Sequence, residues 1–142
     1  MRDFGSRRNW WSLSKARTIT VGDVSLYTAL YGGRFALASS APFAQSLRYE
    51  TAPVDDMLVF HVVFGKSVPD VSLNAVANLG YAEGRFLQPV YPGDTLSSSS
   101  EVIGLKQNSN GKSGVVYVRT TGTNQRGEAV LDYVRWVMVR KN

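Results

Sequence analysis

At 142 residues, 44% hydrophobic and 19% charged, the chain has the length and composition of one folded domain, not of a disordered segment. It has no cysteine and one histidine, which excludes disulfides, a thiol nucleophile and any thiolate or multi-histidine metal centre. The net charge of +5 is uneven: residues 1–17 hold five basic side chains against one acid, and residues 18–142 hold eleven against ten.

Residues 1–17 therefore read as a basic leader, and residues 18–142 as a single, nearly neutral domain. That distribution argues against nucleic acid as the partner. No secretory signal is evident, and with no cysteine the expectation is a cytoplasmic protein. Val21 to Tyr31 reads as a helix. Thr20 and Asp23 are cap residues, and Val24, Tyr27, Ala29 and Leu30 follow at near-helical spacing. Gly32-Gly33 ends it, because glycine accepts the positive φ of a helix C-terminus. Ala41 to Leu47 reads as a second, short helix with Pro42 in its first turn.

Val54 to Lys66 is the most apolar segment. Its central run, Met57 to Phe64, is eight residues, far short of the roughly 20 that span a bilayer, so no membrane segment is expected. Periodicity alone fits a buried strand as well as a helix. The flanks favour a helix: Pro53 precedes it, Asp55 and Asp56 sit where a helix N-terminus favours negative charge, and Lys66 lies at the far end. Apolar residues fall all round the wheel, so burial on most sides is expected.

From Leu73 the signals change to strands and turns. Asn74 to Leu87 has mixed polarity and many small residues, and Pro92-Gly93-Asp94 is a turn. Long strands are expected near 95–106, 114–123 and 129–139, with turn chemistry at Asn108-Ser109-Asn110-Gly111 and Asn124-Gln125-Arg126-Gly127. The last strand alternates Val130, Asp132, Val134, Trp136 and Met138 with Leu131, Tyr133, Arg135 and Val137. Helices first and strands after make an α+β domain with one curved antiparallel sheet. Gly111-Lys112-Ser113 has the ending of a phosphate loop but lacks the upstream glycine and sits in a hairpin.

Three stretches resemble the MaoC-like acyl-CoA hydratase and dehydratase family, over residues 18–140. They are Leu30-Tyr31-Gly32-Gly33 with the following Arg34 to Ala38 and Ala44, the apolar helix from Val54, and Gly84 to Thr95. Asp55 to Phe64 and Lys66 to Phe86 are similar to the amino-terminal half of family members that have two such halves. The resemblance implies a hot-dog fold, an antiparallel sheet wrapped around a buried helix. It also implies a hydro-lyase acting on an acyl-CoA thioester, with no cofactor beyond the coenzyme A of the substrate. A homodimer or pairing with a second hot-dog domain is the implied assembly.

The family's hydration motif is Gly-Asp-x-Asn-Pro-x-His. Its carboxylate and imidazole hold one water, deprotonate it for attack at Cβ and return a proton at Cα. Aligned without a gap, Gly32 takes the glycine position, Gly33 the Asp and Ala38 the His, while Phe35 and Ala36 replace the Asn and Pro. Neither Gly33 nor Ala38 transfers a proton. The resemblance then leaves three readings: a domain whose acid and base come from a second hot dog, a non-catalytic acyl-CoA-binding or assembly partner, or a thioesterase using Asp55 or Asp56.

Asp55 and Asp56 are the remaining candidate acids, and capping plus dipole pairing also accounts for them. His61 is a candidate base, or a hydrogen-bonded core residue. On a helix it lies about 140° from Asp56 and about 120° from Asp55, so no acid–base dyad forms within the helix. Arg34, Asn78 and Arg85 are candidate substrate contacts alongside Gly32, Gly33 and Ala38, since arginine suits the phosphates of coenzyme A. Each of the three also reads as an ordinary surface or sheet-edge residue.

Overall fold

The computed structural model describes residues 15–141, so the leader lies outside the described residues up to position 14. In chain order the elements are β1 (Arg17–Thr18), α1 (Val21–Tyr31), a 3₁₀ turn (Ala36–Ala38), α2 (Ala41–Ser46), α3 (Asp56–Val71), β2 (Ala75–Phe86), β3 (Thr95–Gln107), β4 (Ser113–Thr123) and β5 (Ala129–Arg140). The strands form one antiparallel sheet in the order β1-β3-β4-β5-β2. The sheet curls around α3, as the hot-dog resemblance implies.

Local chemistry sets the helix ends. Thr20 and Asp23 form a reciprocal capping box: the Asp23 amide donates to Thr20 Oγ1 at 3.0 Å, and the Thr20 amide donates to Asp23 Oδ2 at 2.9 Å. Gly32 closes α1 in the left-handed region at φ 59°, and its amide donates to the Thr28 carbonyl. The apolar run is a helix, but over 56–71, where 54–66 was expected. Asp55 is the cap, with its carboxylate accepting from the Met57 amide at 2.8 Å. The far end runs on through Pro69, which lies in the last turn, where only a short stretch of helix follows it.

The core lies between α3 and the concave side of the sheet. Val59, Val62 and Val63 of α3 are buried against Leu96, Leu131 and Tyr133. The closest approach is at Gly122 of β4, where a Cβ would lie only 2.6 Å from a Val63 methyl. The other side of α3 is less covered than expected, with Met57 and His61 exposed. One sheet covers one face of a helix, and among the described residues nothing covers the second face at Met57 and His61.

Strand β2 was not located in advance. Its pairing with β5 breaks register between Ala75 and Ala77, between Asn78 and Gly80, and between Ala82 and Arg85. Glu83 adopts a positive φ of 54° inside it. These bulges destroy the two-residue alternation by which a strand is read from sequence.

Candidate active site

The N-terminus of α3 ends in a cavity of about 420 Å³, walled on one side by the loop after α1. That loop supplies Gly33, Arg34 and Phe35, and the 3₁₀ turn supplies Leu37 and Ala38. The helix supplies Asp55, Asp56 and Met57, and β2 supplies Phe86. A second cavity of about 300 Å³ adjoins it, sharing Leu37, Pro53, Val54, Asp56 and Phe86 and continuing to Tyr49 and Gln88. Each falls within the range of roughly 300–1,000 Å³ typical of small-molecule sites.

The loop is held in place at both ends. Gly32 caps α1, and Ser40 caps α2 by accepting from the Phe43 amide. Phe35 meets Phe43 edge to face at 6.3 Å. Val54 bonds through its amide to the Val90 carbonyl at 2.7 Å, tying the start of α3 to the turn before β3.

The two acids are not equivalent. Asp55 spends a carboxylate oxygen on the helix cap. Asp56, on the wall shared by both cavities, makes no such bond, and partial desolvation, then the Asp55 charge, pushes its carboxyl above the usual carboxylate range. Asp56 keeps solvent contact, so water screens much of that effect. Tyr27 of α1 lies close by: desolvation, then the Asp55 charge, raises its phenol.

The structure gathers only some of the sequence candidates. Gly33, Ala38, Arg34, Asp55 and Asp56 share the first cavity. Gly32 acts as the helix cap behind it. His61 lies outside both cavity walls, exposed on the uncovered side of α3 and 5.9 Å from the Phe60 ring, so it is not the buried core residue that was expected. Its exposure follows from the missing cover on that face. Asn78 is exposed on β2, opposite Val137 and outside both cavities. Arg85 turns to the sheet face away from α3. There it grips Asp132 with two bonds of 3.0 and 2.6 Å, which hold the Asp132 carboxyl below its usual range.

Phe86 is a wall residue that no chemical reasoning singled out, although it lies inside the Gly84 to Thr95 stretch. A larger concavity of about 690 Å³ at the far end of the sheet is lined by Lys112, Arg140 and Lys141 and holds no carboxylate or imidazole. Among the described residues no cluster of histidine and carboxylate side chains is suited to a metal ion. No helix among them is long and apolar enough to cross a membrane.

Comparison with known proteins matches this architecture. The chain is 71% identical over 125 residues to the beta-methylmalyl-CoA dehydratase of Chloroflexus aurantiacus and 67% identical to the mesaconyl-CoA hydratase of Cereibacter sphaeroides. In both cases 88% of this chain is covered, but it spans only 36% of the relative. A solved MaoC domain protein dehydratase from Chloroflexus aurantiacus superposes with a TM-score of 0.86 at 70% identity, covering 89% of this chain and 36% of that one. A Mycobacterium tuberculosis protein described as a double hot-dog fold superposes at 0.81 with 27% identity, covering 89% of this chain and 40% of that one. The family profile described as MaoC like domain matches residues 11–124, which is most of the chain and includes the loop, the helix and the strands that build the cavity; the chain belongs to that family.

Proposed function

We propose that this chain is the acyl-CoA-holding half of a MaoC-like hydratase/dehydratase whose acid and base come from a second hot dog. The acyl group is of the kind named in its relatives, a branched acyl chain derived from a dicarboxylic acid. The observation that supports this reading is the wall of the α3 cavity. Gly33 and Ala38, the positions aligned with the family's Asp and His, both border it, and no imidazole does.

Hydration of an enoyl thioester needs a base to take a proton from water as oxygen attacks Cβ, and an acid to deliver a proton to Cα. The thioester carbonyl must also be polarised while charge collects on it, which backbone amides at a helix N-terminus do well. The N-terminus of α3 offers the second function. Asp55 is engaged in capping, and Asp56 stands in the cavity wall with no imidazole to pair with. A water between Gly33 and Ala38 finds no side-chain partner on either residue, and an ordered water needs two to four partners. The chain's relatives are about three times its span, which leaves room for the second half.

Asp56 supports one other reading, thioester hydrolysis by a carboxylate-activated water, because it lines both cavities and is free of the helix cap, with its carboxyl raised above its ordinary value by desolvation and then by the Asp55 charge. One experiment separates the readings. The purified chain is titrated with a short branched enoyl-CoA, and enoyl absorbance and free thiol are followed. Binding with neither signal changing is the expected result. Loss of enoyl absorbance overturns the divided-site reading, and release of free thiol supports hydrolysis at Asp56.

A further inference from the structure

The acyl-CoA reading leaves one side chain of the cavity unaccounted for. Arg34 is the only cation among the residues that line the cavity at the N-terminus of α3 or the one adjoining it. It shares the first cavity with Asp55 and Asp56. Yet among the described residues its side chain makes no ion pair and no hydrogen bond, with either acid or with any other group.

The backbone that carries Arg34 is held on both sides. Before it, the Gly32 amide donates to the Thr28 carbonyl at 2.9 Å and closes α1. After it, Phe35 meets Phe43 edge to face at 6.3 Å, and its carbonyl accepts from the Ala38 amide at 3.3 Å. Arg34 itself is exposed. The anchor of the guanidinium is thus set before any ligand arrives, and only the side chain has to settle, which lowers the cost of binding.

The chemistry of the acyl group calls for such a charge. In an unsaturated dicarboxylic acyl group such as mesaconyl, named in one relative, the double bond lies between the two carboxyl carbons. The thioester is therefore on Cα, and the free carboxylate is on Cβ, the carbon that water attacks. Gly33 and Ala38 are aligned with the pair that would hold that water, so Cβ and its carboxylate belong beside them, and Arg34 follows Gly33 directly in the chain. The same wall carries two carboxylates, and anions there feel one another: after desolvation, the Asp55 charge helps to raise the Asp56 carboxyl. A third carboxylate enters that space against repulsion unless a cation meets it.

We propose that Arg34 is the specificity residue of this cavity and receives the free carboxylate on Cβ of a dicarboxylic acyl group in its planar, forked guanidinium. This rests on the acyl-CoA reading above. With the thioester carbonyl at the N-terminus of α3 and the carboxylate at Arg34, the double bond is held at both ends. It cannot turn over, and it keeps one face toward the second hot dog that supplies the acid and base.

The test compares mesaconyl-CoA with tiglyl-CoA, in which a methyl group replaces the free carboxylate, by calorimetric titration into the parent chain, Arg34→Gln and Arg34→Lys. The two thioesters share their coenzyme A, so the change in the ratio of their affinities on substitution isolates the pairing of Arg34 with the carboxylate. Arg34→Gln should shift that ratio toward tiglyl-CoA by about fivefold or more, from the upper end of the range for an exposed charge pair. Arg34→Lys, which keeps the charge and loses the fork, should shift it by less. Affinity for tiglyl-CoA itself should stay unchanged in both. Circular dichroism reports whether each variant is folded, and the lysine variant carries the same comparison if the glutamine variant does not fold. A ratio that does not move overturns the proposal while the acyl-CoA reading stands. Equal losses for the two thioesters overturn it by assigning Arg34 to the phosphates of coenzyme A. Failure of the parent to bind either thioester overturns the acyl-CoA reading and the proposal together.

Discussion

Gly122→Ala tests how tightly α3 is seated on the sheet, and so what fixes the cavity at its N-terminus. The added Cβ would lie 2.6 and 2.9 Å from the two Val63 methyls and 3.3 Å from its Cβ. Carbon atoms prefer about 3.5–4.0 Å, so something must move by close to 1 Å. Val63 is fully buried, and a β-branched side chain on a helix has essentially one rotamer, so the helix itself must lift. Overpacking of this kind costs about 1–3 kcal/mol. Replacing a strand glycine returns about 0.5–1 kcal/mol. The net loss is roughly 0–2.5 kcal/mol, a fall in Tm of up to about 10 °C for a domain of this size. Val63→Ala alone costs about 2 kcal/mol for two lost methyls and the space they leave. In the double variant the new Cβ occupies that space, so the two effects should fall short of adding by about 1 kcal/mol. Thermal and urea unfolding followed by circular dichroism measure all four proteins. A Gly122→Ala that raises Tm, or a double variant whose losses simply add, would refute this account of the interface.

Three further outcomes follow from the charges and the caps. Asp56→Asn should raise Tm at pH 7. The folded carboxyl of Asp56 is raised above its ordinary 3.8, so its ionisation opposes folding as pH rises through the folded value, and the gain over the parent should vanish below about pH 3.8. Melting curves across pH check the sign. Arg85→Gln should lower Tm without changing thioester affinity, because Arg85 grips Asp132 on the sheet face away from the cavity. The Asp132 carboxyl is held low in the folded state, so the pair stabilises above pH 3.8, and the difference from the parent should fade as acid protonates Asp132. Thr20→Ala removes one half of the α1 capping box and should cost about 1 kcal/mol in urea unfolding, since its hydroxyl accepts from the Asp23 amide.

Much of the fold was legible because its elements are bounded by chemistry that acts locally. Thr20, Asp23 and Gly32 mark both ends of α1, and the three last strands follow their alternation to within a residue of the observed limits. Strand β2 was illegible because three register breaks and the positive φ of Glu83 scramble its alternation. The extent of α3 was misjudged at its end because Lys66 reads as the cation of a helix C-terminus, whereas the helix runs on to Val71 with Pro69 in its final turn. His61 was expected in the core because its neighbours are apolar, but only a second packed surface would bury that side of the helix.

The site was legible in part. The resemblance to the family's hydration motif paired Gly33 with Ala38, and both border the same cavity as Asp55 and Asp56. Arg85 illustrates the limit, since a strand's face decides whether an arginine meets substrate or a neighbouring carboxylate, and the bulge between Ala82 and Arg85 hides that face.

The central claim is that the cavity at the N-terminus of α3 is a hydratase frame without its acid–base pair. Gly33→Asp together with Ala38→His tests it most directly. A Cβ on residue 33 meets nothing within 4 Å, and its backbone does not require glycine, so an aspartate fits there. Hydration of tiglyl-CoA, a short branched enoyl thioester, followed as loss of enoyl absorbance, is the measurement. The unaltered chain and each single variant should show no turnover, and the double variant should exceed them by about 10²-fold or more, the scale of general acid–base catalysis. Robust hydration by the unaltered chain, abolished by Asp56→Asn or His61→Ala, would contradict the claim.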